Sequence, residues 1–309
     1  MTQLLYKSPD FGINDSWYAY HDGTYYAYYL THADRGWSGQ GIACSTSCDL
    51  LHWDYFGMIL EKNPDGWDNT GLATGSVAEY NGRWYMLYTG NGDRPDRSDG
   101  IGLAVSDDLL HWERVGDTPV LPRRDPYTLP STEGDVPCRL LADPYITPNP
   151  IDGWYYVYIN SYALDMPFGQ RGCQAVFRTR DMINYEPCDI ALKEPYYDRI
   201  ETAQMFAYKD KYFLYFGGVH PTDPIGQIEE WYGMPKNVCN ENCIYISDHP
   251  THGFVPHEDS KLHIPFNPPV YICKIIEHEG ELKFIANVPP AGCIGPYTFD
   301  YIDGKITVK

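Results

Sequence analysis

Three acidic residues stand at matching places in repeated segments of this chain: Asp15 in GINDSWYAY, Asp143 in LADPYITP and Glu201 in IETAQMFAY. Each opens an apolar, aromatic run that ends about eight to ten residues later in a hairpin-type turn. Glu is poorly represented in strands, and a carboxylate is costly to bury unpaired. Taken singly, Glu201 reads as a solvated strand end, Asn14-Asp15 as a turn into a strand and Asp143-Pro144 as an Asx turn. Taken together they ask for another reason, because like charges gathered in one pocket raise one another's pKa and lower stability. Glycoside hydrolysis uses such a set. Two carboxylates flank the scissile bond, one as protonated acid and one as nucleophile or as base for a water. A third can hold the sugar. The chain carries no GxSxG elbow, P-loop or HExxH that would indicate a competing chemistry.

The elements that must position these acids repeat as well. HDGTYYAYYLTH, YNGRWYMLYTGN, IDGWYYVYINSY, YKDKYFLYFGGV and HEGELKFIANVP are five copies of a tight turn followed by an aromatic strand. Asp-Gly and Asn-Gly are strong hairpin signals because both central residues of a type I′ turn need positive φ. Each hairpin is trailed by two more strand-like runs, PYTFDYI and KITVK in the last copy. The expected fold is therefore all-β: one five-bladed β-propeller over residues 1–309, with four antiparallel strands per blade and no C-terminal β-sandwich. In that architecture the first strand of every blade lies nearest the axis, so equivalent strand starts converge at one end of the channel. Loops expected to project there are 90–100, 123–137 and 220–243. A second repeat, Asp49-Leu-Leu-His-Trp53, returns as Asp108-Leu-Leu-His-Trp112 and, degenerately, within FRTRDMINYEPCD. A Ser/Thr and Asp turn ahead of an aromatic strand closes a hairpin, so His52 and His111 are read as structural.

Composition agrees and excludes other classes. Aromatic residues make up 15% of the chain, and 28 Gly with 25 Pro supply frequent breaks. A formal charge of −19 argues against nucleic acid, whose binding needs basic patches. No run of about 18 apolar residues is present, so no membrane partner is expected. MTQLLYKSPDFGIND lacks the succession of a signal peptide, and nine Cys fit reduced thiols, which together lead to an expected cytoplasmic location. Cys44-x3-Cys48 and Cys239-x3-Cys243 are spaced as thiolate pairs but have no partnering CxxC or HxxxH motif, so neither metal nor cofactor is expected.

On these motifs the sequence resembles the β-propeller superfamily of glycoside hydrolases that contains families 32, 68 and 43. The likeness runs roughly from Gly12 to Gly218 and is strongest at GLATGSVAEYNGRWYMLYTGN and IGLAVSDDLLHWERVGDTPVL, similar to the second blade of family 32. By position, the resemblance implies that Asn14-Asp15 carries the nucleophile at Asp15. Asp143 would be the transition-state stabiliser and Glu201, in Glu-Thr, the acid/base. The chain departs from family 32 in having Ala142 where an Arg precedes the aspartate, Ser16-Trp17-Tyr18 after the first Asp, and Thr202 for the Cys. Loss of that Arg removes a charge-assisted fork for sugar hydroxyls and argues against ordinary sucrose or fructan specificity.

The resulting expectation is a glycoside hydrolase that removes a terminal furanosidic sugar, fructose-like or arabinose-like, from an oligosaccharide with retention. Trp17, Trp37, Trp67 and Tyr145 are candidate ring-stacking walls. Asn14, Ser76, Arg139 and Gln204 are candidate substrate-binding groups. Two alternatives accompany this reading: an inverting, family 43-like arabinofuranosidase or xylosidase, for which the resemblance leaves a channel calcium open, and a non-catalytic glycan-binding propeller.

Overall fold

The computed structural model describes residue 5 and residues 12–32, 41–93, 99–123, 126–219, 241–261, 271–288 and 292–309. Every regular element among them is a β-strand, and the strands form five antiparallel sheets arranged as a five-bladed propeller. Blade 1 is β1 (Gly12–His21), β2 (Thr24–His32), β3 (Gly41–Ser47) and β4 (Asp54–Glu61). Blade 2 is β5 (Gly71–Tyr80), β6 (Arg83–Asn91), β7 (Gly100–Ser106) and β8 (Glu113–Arg114), with β9 (Leu121–Pro122) also on β7. Blade 3 is β10 (Pro126–Leu129), β11 (Val136–Ile146), β12 (Tyr155–Ala163), β13 (Gly172–Thr179) and β14 (Glu186–Glu194). Blade 4 is β15 (Arg199–Tyr208), β16 (Lys211–Val219), β17 (Glu241–Ser247) and β18 (Val255–Lys261). Blade 5 is β19 (Cys273–His278), β20 (Glu281–Val288), β21 (Gly292–Ile302) and β22 (Lys305–Val308).

Two blades depart from four strands. The stretch 123–137, expected as a projecting loop, contains β10, which pairs with the start of β11 from Pro126↔Arg139 to Leu129↔Val136. Most of the 220–243 loop lies outside the described residues, as do Trp37, Cys239 and His263.

The turns behave as their residues require. Asp22-Gly23, Asn81-Gly82, Asp152-Gly153, Lys209-Asp210 and Glu279-Gly280 all place both residues at positive φ, between 46° and 80°. That is the twist a two-residue hairpin needs. In the Asp-Leu-Leu-His-Trp repeats, Asp49 Oδ1 accepts the backbone N–H groups of Leu51 and His52, and Asp108 does the same for Leu110 and His111. His52 and His111 each lie against the Asp of their own turn, at 2.7 and 2.6 Å. Asp181, with Asn184, is the third copy. The central Leu50, Leu109 and Met182 adopt positive φ and are fully buried, so these motifs anchor the β3–β4, β7–β8 and β13–β14 turns.

The core is divided by blade interface. Trp17, Tyr28, Leu72, Met86 and Tyr88 pack between blades 1 and 2; Leu103, Leu140, Val157 and Phe177 between blades 2 and 3. Tyr158, Ile200, Leu214 and Phe216 lie between blades 3 and 4; Phe213, Phe284 and Phe299 between blades 4 and 5. The ring closes where Ile13, Tyr29 and Ala43 of blade 1 meet Ile276, Ile285 and Cys293 of blade 5. Alternation along each strand supplies two apolar faces, and each face is covered by the next blade. The first strands of neighbouring blades touch around the axis.

Phe299 is 1% exposed and meets Phe206, Phe213 and Phe284 edge-on at centroid distances of 5.4 to 5.6 Å. Phe299→Ala should destabilise the chain by about 3–5 kcal/mol through lost burial and the cavity left behind, measured as a lower midpoint in urea unfolding.

Candidate active site

The strands β1, β5, β11 and β15, which touch in succession around the axis, each carry a one-residue register shift at the same height, and β11 carries a second between Leu140 and Ala142. In β1 the register skips Asp15 between Asn14↔Leu30 and Ser16↔Tyr29. In β5 it skips Thr74, in β11 it shifts across Asp143, and in β15 across Thr202. A bulge bends its strand and re-aims the extra residue. Asp15, Asp143 and Thr202 sit at φ 42°, 56° and 49°. Asp tolerates that region; a β-branched Thr does so only when its surroundings hold it there. By bulge geometry, then, Thr202 is the counterpart of Asp15 and Asp143. Glu201 lies one residue earlier, paired with Gly217.

All three acids are nonetheless brought together. Asp15, Asp143 and Glu201 are 8%, 9% and 8% exposed. Burial, then the charge of Asp143 and, less strongly, that of Glu201 push the Asp15 carboxyl up to about 7, against the opposing pull of the Thr74 hydroxyl and Lys274. Thr74 Oγ1 donates to Asp15 Oδ2 at 2.6 Å, whereas Asp15 Oδ1 has no hydrogen-bond partner among the described residues. One oxygen is thus held, and the other is buried without a hydrogen-bond partner among the described residues.

Each remaining acid has its own cradle. Asp143 Oδ2 accepts Asn160 Nδ2 at 2.5 Å and the Thr202 backbone N–H at 3.0 Å, while its own N–H donates to Thr89 Oγ1. Glu201 Oε1 is 2.6 Å from the Arg199 guanidinium, and Tyr271 donates its hydroxyl to Oε2 at 2.9 Å. Lys274 Nζ donates to the Thr202 carbonyl at 2.7 Å. The pattern suits proton transfer between carboxyls whose environments differ, the property glycoside hydrolysis needs.

Sequence reasoning did not single out Asn160, Arg199, Tyr271 or Lys274. Lys274 had a legible signal, a lone cation inside the apolar run YICKII; the others had none until the blades were assembled. Of the expected substrate-binding groups, Asn14 is buried with its Oδ1 unpartnered among the described residues. Ser76 Oγ accepts the Ile146 N–H across the blade 2–3 interface. Gln204 exchanges two hydrogen bonds with the backbone of Ile275 across the blade 4–5 interface. Both therefore use their polar atoms to join blades. Arg139 is exposed on β11. Tyr145 is half-buried beside Tyr158. Trp17 packs on Tyr28 in the blade 1–2 core, its Nε1 unpartnered among the described residues. Trp67 stacks on Tyr88 and lines a cavity of about 850 Å³ with Asp68 and Arg114, to which none of the three acids contributes.

Residues 13–136 match the model of the glycosyl hydrolases family 32 N-terminal domain. A curated relative, 1,2-beta-oligomannan phosphorylase of Thermoanaerobacter sp. (strain X514), is 29% identical over 138 residues. That match covers 44% of this chain and 38% of the relative. Among solved structures, the Bombyx mori GH32 beta-fructofuranosidase superposes with a TM-score of 0.73 at 18% identity. The match covers 100% of this chain, which spans 65% of the silkworm enzyme. An alpha-L-arabinofuranosidase of Clostridium thermocellum superposes with a TM-score of 0.66 at 19% identity, over 96% of this chain and 92% of that one. The chain therefore shares the five-bladed fold of family 32 and family 43 glycoside hydrolases.

Because folding raises the Asp15 pKa from 3.8 to about 7, the folded chain binds the extra proton between those values. That contribution to stability is complete below about pH 4 and is lost as pH rises through 7, on the order of 4 kcal/mol in all. Asp15→Asn should therefore raise the melting temperature, and by several degrees more at pH 8 than at pH 5, measured by calorimetry.

Proposed function

We propose that the chain is a glycoside hydrolase that removes a terminal furanosidic sugar, with Asp15, Asp143 and Glu201 as its working acids. One observation carries the reading: three carboxylates from three blades meet in one buried group, and two of them raise the pKa of the third. The family 32 domain match covers Asp15 and all of blade 2 and supports the same chemistry. Asp15, whose Oδ1 is held by no hydrogen bond among the described residues, attacks the anomeric carbon from one side. Glu201, in its protonated form, gives its proton to the leaving oxygen as the glycosidic bond breaks and later takes a proton from the incoming water. Asp143, fixed by Asn160 and the Thr202 N–H, faces the developing positive charge of the sugar ring.

A second reading is favoured by the Asp15 pKa itself. A carboxylate poised near neutral pH is well matched to deprotonating a water, which would make Asp15 a general base and the reaction inverting, as the family 43 likeness suggests. The anomer formed first, read by proton NMR during turnover, separates the two.

The test is sugar release from fructosides, arabinofuranosides, xylosides and β-1,2-mannosides, each with and without inorganic phosphate. The phosphate arm is included because the oligomannan relative is by its name a phosphorylase. One substrate should be cleaved, with Glu201→Gln and Asp15→Asn each losing at least about 100-fold in kcat. Cleavage that survives in both variants would remove these residues from the mechanism, and glycan binding without cleavage would leave a lectin-like propeller. Asp15 must be ionised to act in either role, so kcat/KM should fall as pH drops through about 7 rather than near 4.

A further inference from the structure

Blade 5 is the one blade whose first strand carries no bulge and no acid at the channel; its register with β20 is unbroken from Cys273↔Ala286 to His278↔Glu281. It contributes Lys274 instead. The side chain is 4% exposed, and a lysine is rarely buried unless something holds its charge. Its Nζ rests on the carbonyl of Thr202, the residue whose N–H holds Asp143. One residue of blade 4, Thr202, thus meets the ammonium through its C=O and Asp143 through its N–H, and Glu201 is the residue immediately before it.

We propose that Lys274 is the buried counter-ion of the two aspartates, a positioning residue that clamps the blade 4 bulge through the Thr202 carbonyl and favours the ionised form of Asp15 by its charge. The titratable groups facing it are Asp143 of β11, Asp15 of β1 and Cys273 of its own strand. Glu201 of β15 and Tyr271, just before β19, complete the set around the two aspartates. Burial pulls the Lys274 ammonium down to about 8, and the two aspartates, led by Asp143, pull the other way. Above pH 8 the Lys274 ammonium discharges and the aspartates lose its charge, while the Arg199 guanidinium stays charged against Glu201.

The catalytic consequence rests on the glycosidase reading, but the charge relation does not, so it is tested without turnover. Asp15 is followed by carboxyl 13C NMR titration in the parent, Lys274→Met and Lys274→Arg, with Asp15→Asn to assign the signal. The Met variant keeps the stem and removes the charge, and should raise the Asp15 midpoint; the Arg variant should keep the parent value. An unchanged midpoint in the Met variant, or equal shifts in both variants, overturns the proposal. If the Met variant does not fold, the 13Cε signal of Lys274 decides. In Asp143→Asn its midpoint should fall below the parent value near 8, and an unmoved midpoint overturns the proposal. A clear shift in a chain that cleaves nothing would sink the glycosidase reading and leave this one standing.

Discussion

The demanding constraint in this fold is the burial of three carboxylates at one end of a propeller channel. Like charges in a low-dielectric site repel, and burial alone penalises each ionised form. The chain meets this with polar contacts that run from blade to blade. Thr74 of blade 2 holds Asp15 of blade 1, and Thr89 of blade 2 joins Thr74 to the Asp143 backbone of blade 3. Thr202 of blade 4 holds Asp143, and Lys274 of blade 5 holds Thr202. Asn287 closes the ring, accepting from the Ser16 N–H and donating to its hydroxyl. The same bonds that satisfy the site also tie each blade to the next.

The bulges make that ring possible. A regular strand would send successive side chains to alternate faces, into the two blade interfaces, with none aimed along the channel. One extra residue in β1, β5, β11 and β15 breaks the alternation at a single height and turns Asp15, Thr74, Asp143 and the Glu201-Thr202 pair toward the axis. Positive φ at Asp15, Asp143 and Thr202 is the local strain of that arrangement. It is held by the apolar interfaces on both sides, where Tyr28, Tyr158, Phe216 and Phe284 are fully buried.

Much of this was legible from the residues. Hairpin turns announce themselves because few residue pairs adopt positive φ twice, so Asp22-Gly23 and its counterparts gave five hairpins and hence five blades. The Asp-Leu-Leu-His-Trp repeats could be read as turns because an Asp side chain captures nearby backbone N–H groups. The three acids were found because repetition turns position within a repeat into position in space. Ser76 and Gln204, candidates for sugar binding from the sequence, place polar atoms between blades, since a polar residue on an inner strand looks the same in sequence whether its partner is a ligand or the next sheet.

The amino-acid sequence by itself determined the strand pattern, the turns, the number of blades and the acids that converge, all of which follow from local backbone preference and from periodicity. Only the tertiary structure decided what surrounds the acids. Asn160 reaches Asp143 from the neighbouring strand, while Tyr271 and Lys274 reach the group from a blade about 70 residues beyond Glu201. It also decided that Thr202, and not Glu201, occupies the bulge. Charge regulation in a buried site depends on distances across the channel, and those are fixed only when the fifth blade packs against the first.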